Sequence, residues 1–349
     1  MTETTDTATT AGTAPSEEAP LVRLQRVIEA AATLAEVAVR TPLVPFGPTE
    51  QRRFLKAESL QPIGAFKIRG AYVAVASLTA EERARGVITY SSGNHAQGVA
   101  RAARLLGAPA VVVMPSDAPA IKRERVAADG AEIVVVGTAS DERQAVAERI
   151  AAERGLAIIP PFDDDRVIAG QGTVGLEIAE SLPDVAAVLV PIGGGGLASG
   201  VAVAIRALVP DARVIGVEPE LGADARESLA AGHIVMWSAA DVSRTIADGT
   251  RTRALGRRTF AHLSQLLDSI ITVSEAEIAA AVRLAAEESR LVVEPSGALS
   301  VAALAFHAAE LRLEGPALGG RPVVAVVSGG NVDPERYLEY LRAPVPLRG

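Results

Sequence analysis

The sequence predicts an α/β fold built on mostly parallel strands, and three observations predict it. Short β-branched runs alternate with alanine-rich helical patterns along most of the chain. Those runs are continuously apolar, as strands buried on both faces are, and lack the polar alternation of a half-exposed antiparallel sheet. With 349 residues and 49% hydrophobic content, the chain is also long enough to bury a large interior shared between two lobes.

Taken in order, Met1–Pro20 is rich in Thr, Ala, Ser and Glu with neither a basic start nor an apolar core, and reads as a disordered tail. The runs Val87–Ser91, Ala110–Met114, Glu132–Val136 and Ala157–Ile159 are expected to form a small lobe over residues 86–162. Ala186–Val190, Val214–Glu218 and Val323–Val327 belong to a larger lobe made from residues 21–85 and 163–349. Asn94–Leu106 and Ala198–Leu208 read as helices that follow strands directly. Val185–Ile205 runs 21 residues without a charge, enough in principle to cross a bilayer. Pro191 and four consecutive glycines interrupt it, so strand, turn and helix of a buried core is the better reading. The chain ends soon after Pro334–Leu341, so no C-terminal effector domain is expected.

Composition narrows the function. A net charge of −8, a pI near 5.3 and basic residues scattered without interleaved aromatics argue against a nucleic-acid surface. The absence of cysteine excludes disulfides, thiolate metal sites and a cysteine nucleophile. No membrane segment is expected, and a cytoplasmic location follows by default. His233, His262 and His307 show no metal-ligand spacing.

The chemistry concentrates in three segments. Lys67 sits in Gly64-Ala65-Phe66-Lys67-Ile68-Arg69-Gly70, flanked by apolar residues and glycines. An amine held against apolar neighbours favours its neutral form, and only a neutral amine attacks an aldehyde to form a Schiff base, which makes pyridoxal phosphate the first cofactor to test. Pro191-Ile192-Gly193-Gly194-Gly195-Gly196-Leu197 joins a strand to a helix, a place where backbone N–H groups crowd round a phosphate. Ser328-Gly329-Gly330-Asn331 follows the last buried strand and puts a hydroxyl where it can meet a ring nitrogen.

With Ser91-Ser92-Gly93-Asn94-His95-Ala96-Gln97-Gly98, these motifs in this order resemble the fold-type II pyridoxal phosphate enzymes, the tryptophan synthase β-like fold. Within them the chain is similar to the serine/threonine dehydratase family, with its serine racemase and threo-3-hydroxyaspartate dehydratase relatives. The resemblance covers roughly Leu21–Leu341. Val167-Ile168-Ala169-Gly170-Gln171-Gly172-Thr173, Thr245-Ile246-Ala247-Asp248-Gly249 and Glu294-Pro295-Ser296-Gly297 look like the same family. His95 stands where cysteine synthases usually have threonine, which favours the dehydratase branch, while Ala65 replaces a serine common in relatives.

The resemblance implies specific roles. Lys67 holds the cofactor as a Schiff base beside Phe66, and Ser92 acts as acid and base on the opposite face. Ser91, Asn94 and His95 hold the substrate carboxylate and the cofactor O3′. Gly193, Gly194, Gly195, Gly196 and Leu197 hold the phosphate, and Ser328 faces the ring nitrogen. In the racemase-like branch the Glu218 and Asp224 positions are carboxylate ligands, and the Gly222 position a carbonyl ligand, of Mg²⁺ or Ca²⁺. The activity implied is an L-threonine and L-serine ammonia-lyase yielding a 2-oxo acid and ammonia, in a homodimer. Arg143, where racemase-like relatives contact a second carboxylate, keeps 3-hydroxyaspartate dehydration or serine racemisation open. A more distant alternative is an NAD-binding oxidoreductase, since Gly193-x-Gly195-x-x-Ala198 with Glu218 on the next strand satisfies a loose dinucleotide fingerprint.

Overall fold

A computed structural model describes residues 19–346 except 92, 117, 119, 138, 139 and 315–317. Ten strands form two sheets: β1 (Leu43–Pro45), β2 (Arg53–Ala57), β3 (Val87–Tyr90), β4 (Ala110–Pro115), β5 (Glu132–Val136), β6 (Ala157–Ile158), β7 (Ala187–Pro191), β8 (Arg213–Pro219), β9 (Ser269–Val273) and β10 (Val323–Val327). The four-stranded sheet has the order β5-β4-β3-β6 and is parallel throughout. The six-stranded sheet has the order β1-β2-β10-β7-β8-β9, with only the β1–β2 pair antiparallel. Register brings Ala57 opposite Val327 and Pro191 opposite Val217, so the C-terminal ends of β2, β10, β7 and β8 open on one edge.

All seven strands expected from apolar runs are present. The three others, β1, β2 and β9, carry a weaker signal for identifiable reasons. β1 has three residues, and β9 is an outer strand with an exposed first residue. β2 reads Arg-Phe-Leu-Lys-Ala, yet Arg53 and Lys56 are both buried, because Arg53 pairs with Glu314 and Lys56 with Glu177.

Three helices set the distance between the future site loops. Asp165–Ser181 packs against both Lys67–Ala76 and Gly196–Leu208. The contact at Gly200 admits no side chain, since a Cβ there would stand 2.3 Å from the Ile168 carbonyl. This explains why the Val167–Thr173 motif is rich in small residues: it is a helix-packing surface.

Beside that contact lies a buried ionic cluster. The Arg69 guanidinium donates to Glu58 at 2.7 and 2.8 Å, to Glu177 at 2.6 and 3.0 Å, to Thr173 Oγ1 at 3.0 Å and to the Val39 carbonyl at 3.1 Å. Lys56 Nζ completes it, donating to Glu177 at 2.5 Å and to the Thr41 carbonyl at 2.7 Å. Two cations face two carboxylates, so the cluster is balanced, and the Arg69 charge holds the buried Glu58 carboxyl below its ordinary range. Removing one partner strands the others. Arg69→Met is therefore expected to destabilise the chain by about 3–5 kcal/mol in denaturant titrations, whereas adding Glu58→Gln to it recovers part of the loss. Equal loss in the single and double variants would show that the charges are not coupled.

Candidate active site

Lys67 is the first residue of its helix and stands beside the end of β10. The loop before it is stitched to the loop after that strand: Phe66 N donates to the Ser328 carbonyl at 3.0 Å and Gly330 N to the Gly64 carbonyl at 2.9 Å. Lys67 Nζ donates to the Pro161 carbonyl at 2.8 Å and lies 5.1 Å from the centre of the Phe66 ring. Of the three lysines in the sequence, Lys56 and Lys122 are ion-paired with carboxylates, while Lys67 donates to this carbonyl. Burial, with no carboxylate to offset it, pulls its amine from 10.5 down to about 8.

The glycine run leaves β7 and enters the helix Gly196–Leu208, with Gly195 in the left-handed region at φ +89°. The first bond of that helix runs from Ser199 N to the Gly195 carbonyl at 2.9 Å, so the N–H groups ahead of it point out of the helix end. A Cβ on Gly194 would fall 2.2 Å from the Phe162 ring. Phe162, half-buried and one residue past the carbonyl that holds Lys67, thus covers the loop; sequence reasoning passed over it because a lone aromatic in a turn carries no signal. Ser328 is buried, and its Oγ has only a long contact of 3.4 Å to the Ser296 carbonyl, which leaves it able to turn to another partner.

The fourth motif opens the helix Asn94–Leu105. Asn94 Nδ2 donates to Glu294 at 2.6 Å and its Oδ1 accepts from Asn331 at 2.8 Å. The His95 ring is buried with Nε2 3.0 Å from the Ile159 carbonyl, and burial, followed by the Lys67 charge, lowers it to about 3. A neutral imidazole already bound to a carbonyl offers a carboxylate little, but the free N–H groups at this helix end remain available. Ser91 Oγ accepts from Gly93 N at 3.3 Å, and Ser92 lies outside the described residues. Glu294, from the Glu294-Pro295-Ser296-Gly297 motif, is an acidic neighbour whose contact with Asn94 the sequence did not place, because one glutamate before a proline resembles any helix start.

Amine, glycine loop and strand-end hydroxyl thus meet at one sheet edge, which suits a phosphorylated aldehyde. The family model described as pyridoxal-phosphate dependent enzyme matches residues 34–329. The chain belongs to that family. Three similarities refine the branch. The chain is 42% identical over 315 residues to the L-threo-3-hydroxyaspartate ammonia-lyase of Saccharomyces cerevisiae, covering 89% of this chain and 94% of that one. It is 42% identical over 288 residues to the serine racemase of Schizosaccharomyces pombe, covering 82% and 86%. The solved structure of processed threonine deaminase isoform 2 from Solanum lycopersicum superposes with a TM-score of 0.84 at 37% identity, covering 91% and 92%. The fold is that of the fold-type II pyridoxal phosphate dehydratases. The dinucleotide reading of the glycine run falls with this match, and also with Glu218, whose oxygens are taken by Ala225 N at 3.0 Å and Arg226 N at 2.8 Å.

Glu218 nevertheless belongs to a notable pair in this pyridoxal phosphate enzyme. It ends β8 and caps the helix Asp224–Ala231, whose first residue, Asp224, is buried with neither carboxylate oxygen hydrogen-bonded. Burial and then the Asp224 charge push Glu218 well above its ordinary range, and burial pushes Asp224 up to about 7. A buried carboxylate without partners, as at Asp224, beside a second carboxylate fits a cation, with the Gly222 carbonyl in the intervening turn. Among the described residues no group of three or more His, Asp and Glu side chains forms a metal cluster, so a cation here would rely on these two carboxylates, backbone and water. Arg143 lies half-buried on the helix Ser140–Arg154. No described helix is long and apolar enough to cross a membrane.

The lowered Lys67 amine has a direct consequence. It becomes nucleophilic as pH rises through about 8, below the ordinary 10.5. Capture of pyridoxal phosphate by the apoprotein, followed by absorbance, is expected to speed up with a midpoint near that value; a midpoint near 10.5 would mark a solvated lysine.

Proposed function

We propose that the chain is a pyridoxal phosphate-dependent ammonia-lyase for small β-hydroxy L-amino acids, with L-threonine and L-serine as substrates and a 2-oxo acid and ammonia as products. The observation that carries this reading is the Lys67 amine: buried, lowered to about 8, and hydrogen-bonded to a carbonyl at the edge where the glycine loop and Ser328 also end. When bound, the cofactor supplies an electron sink for charge left at the substrate α-carbon. The protein's part follows from its own groups. The N–H groups of Gly193, Gly194, Gly195, Gly196 and Leu197 would hold the phosphate, and Asn94 and Phe66 would contact the rest of the cofactor. Lys67 would anchor the cofactor and, when free, take the α-proton, for which an amine near 8 is suited at neutral pH. Ser328 would donate a hydrogen bond to the ring nitrogen without adding charge, which would keep the cofactor a moderate electron sink. The N-terminus of the Asn94–Leu105 helix, with Ser91 and the His95 N–H, receives the substrate carboxylate.

A second reading, dehydration of L-threo-3-hydroxyaspartate, is supported by the yeast relative, which aligns over 94% of its own length. Ammonia release from a panel of the three amino acids separates them. The expected result is a higher kcat/KM for threonine than for 3-hydroxyaspartate, unchanged threonine turnover in Arg143→Ala, and none in Lys67→Ala, whose fold is retained. Preference for hydroxyaspartate, lost selectively in Arg143→Ala, selects the second reading. Full activity in Lys67→Ala would sink both.

We also infer a Mg²⁺ or Ca²⁺ site at Glu218, Asp224 and the Gly222 carbonyl, supported by the two unpartnered Asp224 oxygens. A cation there competes with a proton, so its affinity should fall as pH drops through about 7, where Asp224 takes up a proton. Chelator is expected to lower the melting temperature of wild type at pH 8 and to leave Asp224→Ala unmoved. Identical wild-type curves with and without chelator would remove the cation from the account.

A further inference from the structure

The Asn94 amide is held by groups from the other half of the molecule, in an order of donors and acceptors that cannot reverse. Arg125 NH1, which only donates, gives to Asn331 Oδ1 at 2.7 Å. Asn331 Nδ2 then donates to the Ile63 carbonyl, which only accepts, at 2.8 Å, and to Asn94 Oδ1 at 2.8 Å. With its oxygen engaged, Asn94 donates from Nδ2 to Glu294 Oε1 at 2.6 Å. The chain runs Arg125, Asn331, Asn94, Glu294, and it needs a terminal acceptor at 294.

Glu294 is costly for a core to hold and is placed where it touches both sides of the site. It is buried, its N–H donates to the Gly329 carbonyl at 3.1 Å, and a Cβ on Gly329 would stand 2.4 Å from its Oε1. Gly329 is the neighbour of Ser328. The Asn331 side chain in turn lies against Gly64, where a Cβ would meet its Oδ1 at 2.4 Å, three residues before Lys67. The network therefore spans the Lys67 loop, the Ser328 loop and the Asn94 helix. An amide nitrogen carries two protons, and Glu294 takes one.

We propose that Glu294 is a positioning residue which, together with Asn331, fixes the Asn94 amide so that its second N–H serves as a hydrogen-bond donor to an anionic oxygen of the bound cofactor. This rests on the pyridoxal phosphate reading of the site. A glutamate at 294 specifies the orientation of Asn94, because a donor there would turn the amide round.

Variants that exchange the two functional groups test it. Cofactor affinity of the apoprotein and its melting temperature are measured at pH 8, above the value of about 7 to which burial, followed by Asp248, raises Glu294 against the opposing charge of Lys122. Glu294→Gln keeps an acceptor and is expected to stay within about threefold of wild-type affinity; Glu294→Ala should lose about tenfold or more, in line with a lost hydrogen bond to a charged group. The decisive protein is the double variant Asn94→Asp with Glu294→Gln. There the aspartate accepts from both Asn331 and the new glutamine, so the internal contacts and net charge return, but no donor faces the cofactor. Recovery of the melting temperature without recovery of affinity is the expected result. Recovery of both, or wild-type affinity in Glu294→Ala, would reduce the network to a structural brace and overturn the proposal. Failure of wild-type apoprotein to bind pyridoxal phosphate at Lys67 on borohydride reduction would instead bring down the site reading on which it rests.

Discussion

The guanidinium of Arg69 is the contact on which the site's geometry depends. It lies two residues beyond Lys67 and binds two carboxylates, one from the turn after β2 and one from the Asp165–Ser181 helix. That helix also carries, through its contact with Gly200, the helix that begins in the glycine loop. Amine and glycine loop are thus referred to one common element. A planar fork with several donors suits this task, since the single ammonium of a lysine could not reproduce the bonds that reach both Glu58 and Glu177.

The ionisable groups divide by how burial is answered. Glu58 is buried and compensated, and its carboxyl is lowered. Lys67, Asp224 and Glu294 are buried with desolvation as the leading influence, and each moves toward its neutral form, to about 8, 7 and 7. The first kind holds the fold together. Groups of the second kind, buried and shifted toward neutrality, are a recurring mark of functional sites. His95 likewise moves to its neutral form through burial, with Nε2 bound to the Ile159 carbonyl.

Much of this was legible in the chain itself. The seven strongly apolar strands are legible because strands buried on both faces need no alternation, and the glycine loop because only glycine allows that approach to an anion. Lys67 is legible because an amine amid apolar residues and glycines is already unusual. β2 was not, since its arginine and lysine look like surface charges until Glu314 and Glu177, far away in sequence, come to meet them. Phe162 and the role of Glu294 were hidden for the same reason: each takes its meaning from a neighbour dozens to hundreds of residues away.

The sequence by itself determined the α/β class, the cofactor chemistry and the three strand-end segments, because these follow from local composition and from how residues succeed one another. Tertiary structure alone decided which partners compensate which charges: that Arg69 meets Glu58 and Glu177, that Asp224 meets no donor, and that Asn94 is turned by Asn331 and Glu294. The physical reason is that desolvation and hydrogen-bond polarity depend on what surrounds a group in space, and a linear pattern records only what precedes and follows it.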